Sequence, residues 1–359
     1  AQLLKQLLDG IFTQLVDAIK TEMEVRTATI LVEALNDCIK VVGENCLGDA
    51  QLLAVSELFK TVILSSIERK QAVIQELQKE DDEEQQAVLD EDALCEEQFL
   101  TIVAETVGGI LKTHKAFIPY FIRDLWPIYS GLLGNTFGDD EHRIGLCVIC
   151  DFVENSGTAS HQFFELIVPA LFNYAKSDNP EVRQAAVFGI GACAQYAGEA
   201  FEPAVPPAIE ALIHAINRPD SKKKEHKAAT ANAISALFKF LQFRASNQHV
   251  SANVSNYKNV WLQALPVGGD IIEAKIVHGH LVSLIQQNDQ VILGQYYANI
   301  PKILQVFADI VNTGLVSDES QASIKQILQQ LSTQPQMMSQ AMTTLSVEQQ
   351  NKLKDLVAK

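Results

Sequence analysis

Positive charge, glycine, proline and long apolar runs are all scarce in this sequence, and each shortage removes a class of protein. Only 28 Lys and Arg stand against 44 Asp and Glu, a formal charge of −16. A nucleic-acid footprint would be basic, so nucleic acid is not an expected partner. An acidic surface favours basic partners and solubility instead. Gly and Pro number 18 and 11 in 359 residues, too few for a sheet-rich or disordered chain, while the 47% apolar content is that of a globular one. No uninterrupted apolar run approaches the roughly 18 residues that span a bilayer, so no membrane partner is expected. The six cysteines sit inside apolar stripes rather than at disulfide-like spacings, which points to a reducing compartment. The first residues, AQLLKQLLDGIFTQL, lack an initiator Met and a signal-peptide layout. The expectation is a fragment of a longer chain.

What is present is helical periodicity. Between His161 and Gly198, Phe163, Phe164, Ile167, Val168, Leu171, Phe172 and Ala175 fall on one helix face. Val182, Ala185, Ala186, Gly189, Ile190, Cys193 and Ala197 form a second stripe. Between the stripes, Asn179 can cap, Pro180 suits a first helical position, and Glu181 faces the positive end of the helix dipole. The stretch predicts an antiparallel helix pair that needs neighbours to bury both stripes.

The unit recurs. Breaks at Thr21-Glu22, Gly138-Asp139-Asp140, Pro219-Asp220-Ser221, Gly268-Gly269-Asp270 and Ser317-Asp318-Glu319 each separate two apolar stripes, and Glu24-Val25-Arg26 matches Glu181-Val182-Arg183. With Arg143, Arg183, Lys227, Lys275 and Lys325 as equivalents, the spacings are 40, 44, 48 and 50. Two helices per unit with a period in the forties is the mark of a HEAT or armadillo array. The expected fold is all-α: a single right-handed α-solenoid of about seven HEAT repeats over 1–48, 49–115, 116–158, 159–199, 200–246, 247–288 and 289–334, closed by a polar helical cap over 335–359. The second repeat is enlarged, and its join carries an acidic run from Glu80 through Asp92 to Glu97.

The unit LIVPALFNYAKSDNPEVRQAAVFGIGACA resembles the HEAT consensus, with Pro169 in the first helix, Asp178 in the turn and Arg183 in the second. LWPIYSGLLG followed by IGLCVICDFVENSG, then NPEVRQAAVFGIGACAQYAGE, the enlarged acidic pair and the closing LSVEQQNKLKDLV resemble the C-terminal part of the importin beta-3 branch of the importin-β superfamily, the karyopherins. That resemblance implies part of a nuclear import receptor that shuttles between cytoplasm, nucleus and nuclear pore complex. It would bind basic cargo on its concave face, hold Phe-Gly nucleoporins in apolar pockets, and respond to Ran-GTP, whose principal site would lie in N-terminal repeats outside this chain. A monomer without cofactor or metal is expected. The alternative is a HEAT scaffold subunit of a different complex.

By the same resemblance, second helices line the concavity, which makes Glu33, Asp37, Glu105, Asp151 and Glu154 candidate cargo contacts. Apolar residues on first helices, Phe117, Phe121, Phe164, Phe172 and Ile209, are candidate nucleoporin pockets, although aromatic stripes at this spacing are more often core. Asp178, Pro180 and Arg183 are the candidate repeat-stacking residues, with Asp178 and Arg183 expected to pair. Lys222, Lys223, Lys224 and Lys227 form the strong basic cluster, solvated or facing an acidic partner.

The catalytic look-alikes fail on context. Gly189-Ile190-Gly191 with Ala194 lies inside a helix rather than after a strand, where small residues would let helices approach. Cys147 and Cys150 have no second ligand pair and read as buried small hydrophobes. His278 and His280 point to different helix faces. No enzyme is expected.

Overall fold

The computed structural model describes residues 2–358, and among them there is no strand. Two compact units are present, 1–167 and 168–359.

The first unit is built from α1 (Gln2–Thr21), α2 (Val25–Val42), α3 (Asp49–Leu77), α4 (Glu83–Thr113), an interrupted helix, and α7 (Asp139–Asn155). The interrupted helix runs through α5 (Ile118–Tyr120), a π-helical turn (Phe121–Leu125) and α6 (Trp126–Gly131). Pro119 and Pro127 explain the interruption, because each lacks the N–H that an α-helical ladder requires and the wider turn absorbs the mismatch. First helices stack on first helices, α1 on α3 and α3 on the interrupted helix, while α2, α4 and α7 stack as a second layer. Val32, Leu35, Phe59, Val107, Leu111, Phe121 and Phe152 fill the space between the layers. By length and composition α3 could cross a membrane. Here its Leu52, Val55, Leu58, Phe59 and Ile63 are buried among neighbouring helices.

The unit boundary falls inside α8 (Phe164–Tyr174). The second unit continues with α9 (Pro180–Tyr196), α10 (Val205–Ile216), α11 (Lys227–Phe243), α12 (Gln248–Ala264), α13 (Ile271–Gln286), short α14 (Gln290–Leu293), α15 (Ile300–Ile310), α16 (Asp318–Ser332), α17 (Pro335–Met342) and α18 (Val347–Ala358). Again α9, α11, α13 and α16 form one layer, and α10 and α12 pack together in the other. The final two helices fold across α15 and α16, with Leu353 and Leu356 buried.

Caps set where second helices begin. Asn179 Oδ1 accepts from the Glu181 and Val182 amides at 2.9 and 3.2 Å, with Pro180 in the first turn. Asp270 and Asp82 cap α13 and α4 in the same way, and Ser317 caps α16 through the single Ser320 amide. The first repeat departs from the sequence match. Glu24 is itself the cap of α2, accepting from the Arg26 and Thr27 amides, so it stands in the place of Asn179 rather than of Glu181. The letters align, but the cap register is shifted by two residues.

Close backbone approach fixes one glycine. A Cβ on Gly191 would lie 2.9 Å from that of Ala236, so α9 and α11 touch there without room for a methyl group. The glycines that mimic a dinucleotide motif are packing positions.

Candidate functional site

The second-helix layer of the first unit carries the candidate acidic surface. On α2, Glu33 and Asp37 are one turn apart and exposed. Glu105 of α4 is exposed, while Asp151 and Glu154 of α7 are half-buried and three residues apart. Gly108, three residues beyond Glu105, lets α7 approach: a Cβ there would fall 2.1 Å from Asp151 Oδ2. Burial first, and the neighbouring Glu154 second, push the Asp151 carboxyl up to about 6, against the opposing pull of Lys112. The structure therefore brings Asp151, Glu154, Gly108 and Lys112 together. Glu33 and Asp37 form a separate exposed pair. A partner ammonium placed at Asp151 would restore the charge that burial disfavours.

The acidic join is partly structural. Asp82 caps α4, Glu97 pairs with Arg143 at 3.0 Å, and Glu91 pairs with Arg26 at 2.5 Å. Glu96 is buried and accepts from Arg69 and from Ser66 Oγ, the latter at 2.6 Å. Asp81, Glu83, Glu84, Asp90 and Asp92 remain exposed.

The stacking residues Asp178 and Arg183 both reach the next repeat, but they do not pair as expected. Asp178 Oδ1 takes Arg218 Nη2 at 3.2 Å. Arg183 is buried; it donates to the Ser177 and Asp178 carbonyls and places Nη2 2.6 Å from His226 Nδ1. Arg218 also grips Asp220 with two bonds of 3.0 and 3.1 Å and holds that carboxyl down at about 2. Arg183 is the buried donor because two carbonyls and an imidazole can share its fork, whereas Asp178 points to solvent. Pro180 contributes by starting α9.

The aromatic candidates need correction. Phe117, Phe121 and Ile209 are fully buried and Phe164 nearly so; among the five, only Phe172 keeps partial exposure. Phe121 packs 4.9 Å from Phe152 and 6.4 Å from Tyr129, centroid to centroid, and so belongs to the core. These side chains are the knobs that join first to second helices, and a partner could reach them only by opening the repeat. Exposed apolar side chains lie elsewhere. Ile272 and Ile276, one turn apart on α13, are 73% and 43% exposed. Sequence reasoning did not single them out, because periodicity cannot tell which apolar residues no neighbour covers.

Cys150 is buried, but Cys147 is exposed rather than buried as expected. Among the described residues no group of three or more His, Cys, Asp or Glu could hold a metal ion. His278 is fully buried: its Nδ1 lies 2.8 Å from the Leu315 carbonyl, and its Nε2 accepts from the Val267 amide at 3.2 Å. His280 instead stacks on Phe238. His114, which no motif singled out, repeats the role of His278, accepting from the Leu47 amide at 3.1 Å.

Against known proteins, the chain matches the importin repeat 6 family over residues 27–135 and the HEAT repeat family over residues 167–197. It is 26% identical over 324 residues to importin subunit beta-3 of Saccharomyces cerevisiae, covering 88% of this chain and 28% of that protein. It is 24% identical over 349 residues to a probable importin-5 homolog of Dictyostelium discoideum, with 94% and 31% covered. Among solved structures, Kap121p bound to RanGTP superposes with a TM-score of 0.76 at 21% identity, over 99% of this chain and 31% of its own. Kap121p bound to Nup53p gives 0.74 at 22%, with 99% and 31% covered. The chain thus spans about a third of the length of the relatives it matches. The fold is an all-α HEAT-repeat solenoid.

Proposed function

We propose, from the premise that the chain belongs to the importin-β superfamily and corresponds to the C-terminal part of its members, that it serves a nuclear import receptor that carries protein cargo through the nuclear pore. The observation that carries this reading is the second-helix layer, where Glu33, Asp37 and Glu105 stand exposed and Asp151 is poised beside Glu154. Clustered carboxylates steer and hold cationic segments, so a Lys- or Arg-rich localisation signal is the cargo chemistry proposed. Phe-Gly nucleoporins are the second partner. Phe172, and above all the uncovered Ile272 and Ile276, offer them apolar contact, which is weak singly and strengthened by multivalency. A response to Ran-GTP belongs to the same proposal, with the principal Ran site in repeats outside this chain. So do the reading of 1–359 as one array of seven repeats with a cap, a monomeric state, and shuttling between cytoplasm and nucleus.

The test is binding of immobilised Phe-Gly-repeat peptides and of basic localisation peptides to this chain. Saturable binding of the basic peptide, lost in the combined variant Glu33→Gln, Asp37→Asn, Glu105→Gln, is the expected result. Absence of binding to both peptides, together with stoichiometric capture of a folded subunit, would favour the scaffold reading.

A further inference from the structure

The basic run before α11 is divided by the fold. All four lysines are exposed, but only Lys222 and Lys227 also line a cavity of about 860 Å³ in the second unit. Lys302 of α15 is a third lysine of the same wall. Its Nζ donates to the Leu265 carbonyl at 2.6 Å, which anchors the ammonium there. Burial, and then the like charge of Lys222, push the Lys302 amine below the usual lysine range. Asp309 offsets this in part, but it does not line the cavity, and its carboxylate accepts from Gln349 at 2.8 Å. Among the described residues no Asp or Glu lines the cavity, although the chain carries 44 of them against 28 Lys and Arg. The local charge is thus the reverse of the whole molecule's.

The remaining lining fits an anion as well. Asn217 and Gln305 supply amide donors, while the Thr230 hydroxyl is engaged with the Ser221 and His226 carbonyls; Ile216, Ile234 and Val260 close the walls. Lys227 opens the 17-residue α11, whose start has no capping side chain. The volume lies within the 300–1,000 Å³ usual for small-ligand sites. No arginine takes part, and arginine is the residue that grips planar carboxylates bidentately. Convergent ammonium point charges suit tetrahedral phosphate groups better.

We propose that this cavity binds a compact, multiply phosphorylated small molecule, held by Lys222, Lys227 and Lys302. The site is independent of the acidic surface to which cargo is assigned. The test is isothermal titration of the full chain at physiological salt with three probes: inositol hexakisphosphate, ATP and a tetra-glutamate peptide. One molecule of inositol hexakisphosphate or ATP per chain is expected to bind in the micromolar range, with the peptide at least about tenfold weaker. The double variant Lys222→Gln, Lys227→Gln should weaken that binding by about tenfold or more, while Lys223→Gln, Lys224→Gln should leave it within about twofold. All four positions are exposed, so neither variant should disturb the core. Hydrogen exchange should slow around Thr230 and Leu265 on binding. Failure of both phosphate probes to saturate would overturn the assignment. So would equal loss in the two double variants, tighter binding of the peptide, or exchange protection confined to other helices.

Discussion

At the residue scale, two kinds of buried ionisable group set opposite pH slopes. The Asp151 carboxyl titrates near 6 in the folded protein against an ordinary value of 3.8. Between those values the unfolded chain releases a proton that the fold retains, so stability falls as pH rises through that window and stays lower above it. Asp151→Asn should therefore stabilise the protein by about 1–3 kcal/mol at neutral pH and by little at pH ~4, as read from denaturant midpoints. His278 is held neutral by burial, below its ordinary 6.5. The unfolded state takes up its proton first as pH falls through 6.5, so the contribution of His278 is present above that value and lost below it. His114 behaves alike, since burial lowers it too. Acid melts from pH ~7 to ~5 should be flatter for His278→Gln than for the parent, although the variant starts less stable because the Val267 amide loses its acceptor. Parallel slopes for parent and variant would remove His278 from this role. The sequence singled out Asp151 and His278 for other reasons, but nothing in its spelling marked either as buried, because burial depends on which helix packs opposite.

At the element scale, α9 is largely enclosed, and at Gly191 it meets α11 without room for a methyl group. Gly191→Val should cost on the order of 1–3 kcal/mol through overpacking against Ala236. Ala236→Gly should recover part of that loss in a double-mutant cycle. Additive costs would place the strain elsewhere. The start of α9 was legible from Asn-Pro-Glu, because capping chemistry is local: Asn179→Ala should cost about 0.5–2 kcal/mol. The start of α2 was misread by two residues because Glu24, an uncommon cap, occupies the site. The aromatic stripes were legible as stripes, yet their roles were not. Phe117 and Phe121 close the core between layers, and Ile272 and Ile276 are left bare, since coverage is decided by neighbours distant in sequence.

At the scale of the whole molecule, the charge of −16 makes association with cations a long-range effect. Affinity for a basic localisation peptide should drop about tenfold or more between 50 and 300 mM salt, mainly through slower association, as measured by surface plasmon resonance. Binding should also strengthen as pH rises through 6, where Asp151 gains its charge. An affinity indifferent to salt would contradict steering by the acidic surface. Phosphate probes at the lysine-lined cavity should weaken with salt as well, against a surface of the opposite sign.

Sequence by itself determined the helical pairs, the rhythm of 40 to 50 residues, the cap at Asn179 and the acidic character, because periodicity, capping and charge are properties of neighbouring letters. Only tertiary structure decided the rest. It paired Asp178 with Arg218 instead of Arg183 and sank four of five candidate pocket residues into the core. It also raised Asp151 by packing it on Gly108, and turned Lys222 and Lys227, but not Lys223 and Lys224, toward the cavity that Lys302 lines. The physical reason is common to all of these: burial and partnership arise between helices tens of residues apart, where a repeat's own stripe shows that it must be covered but not by what.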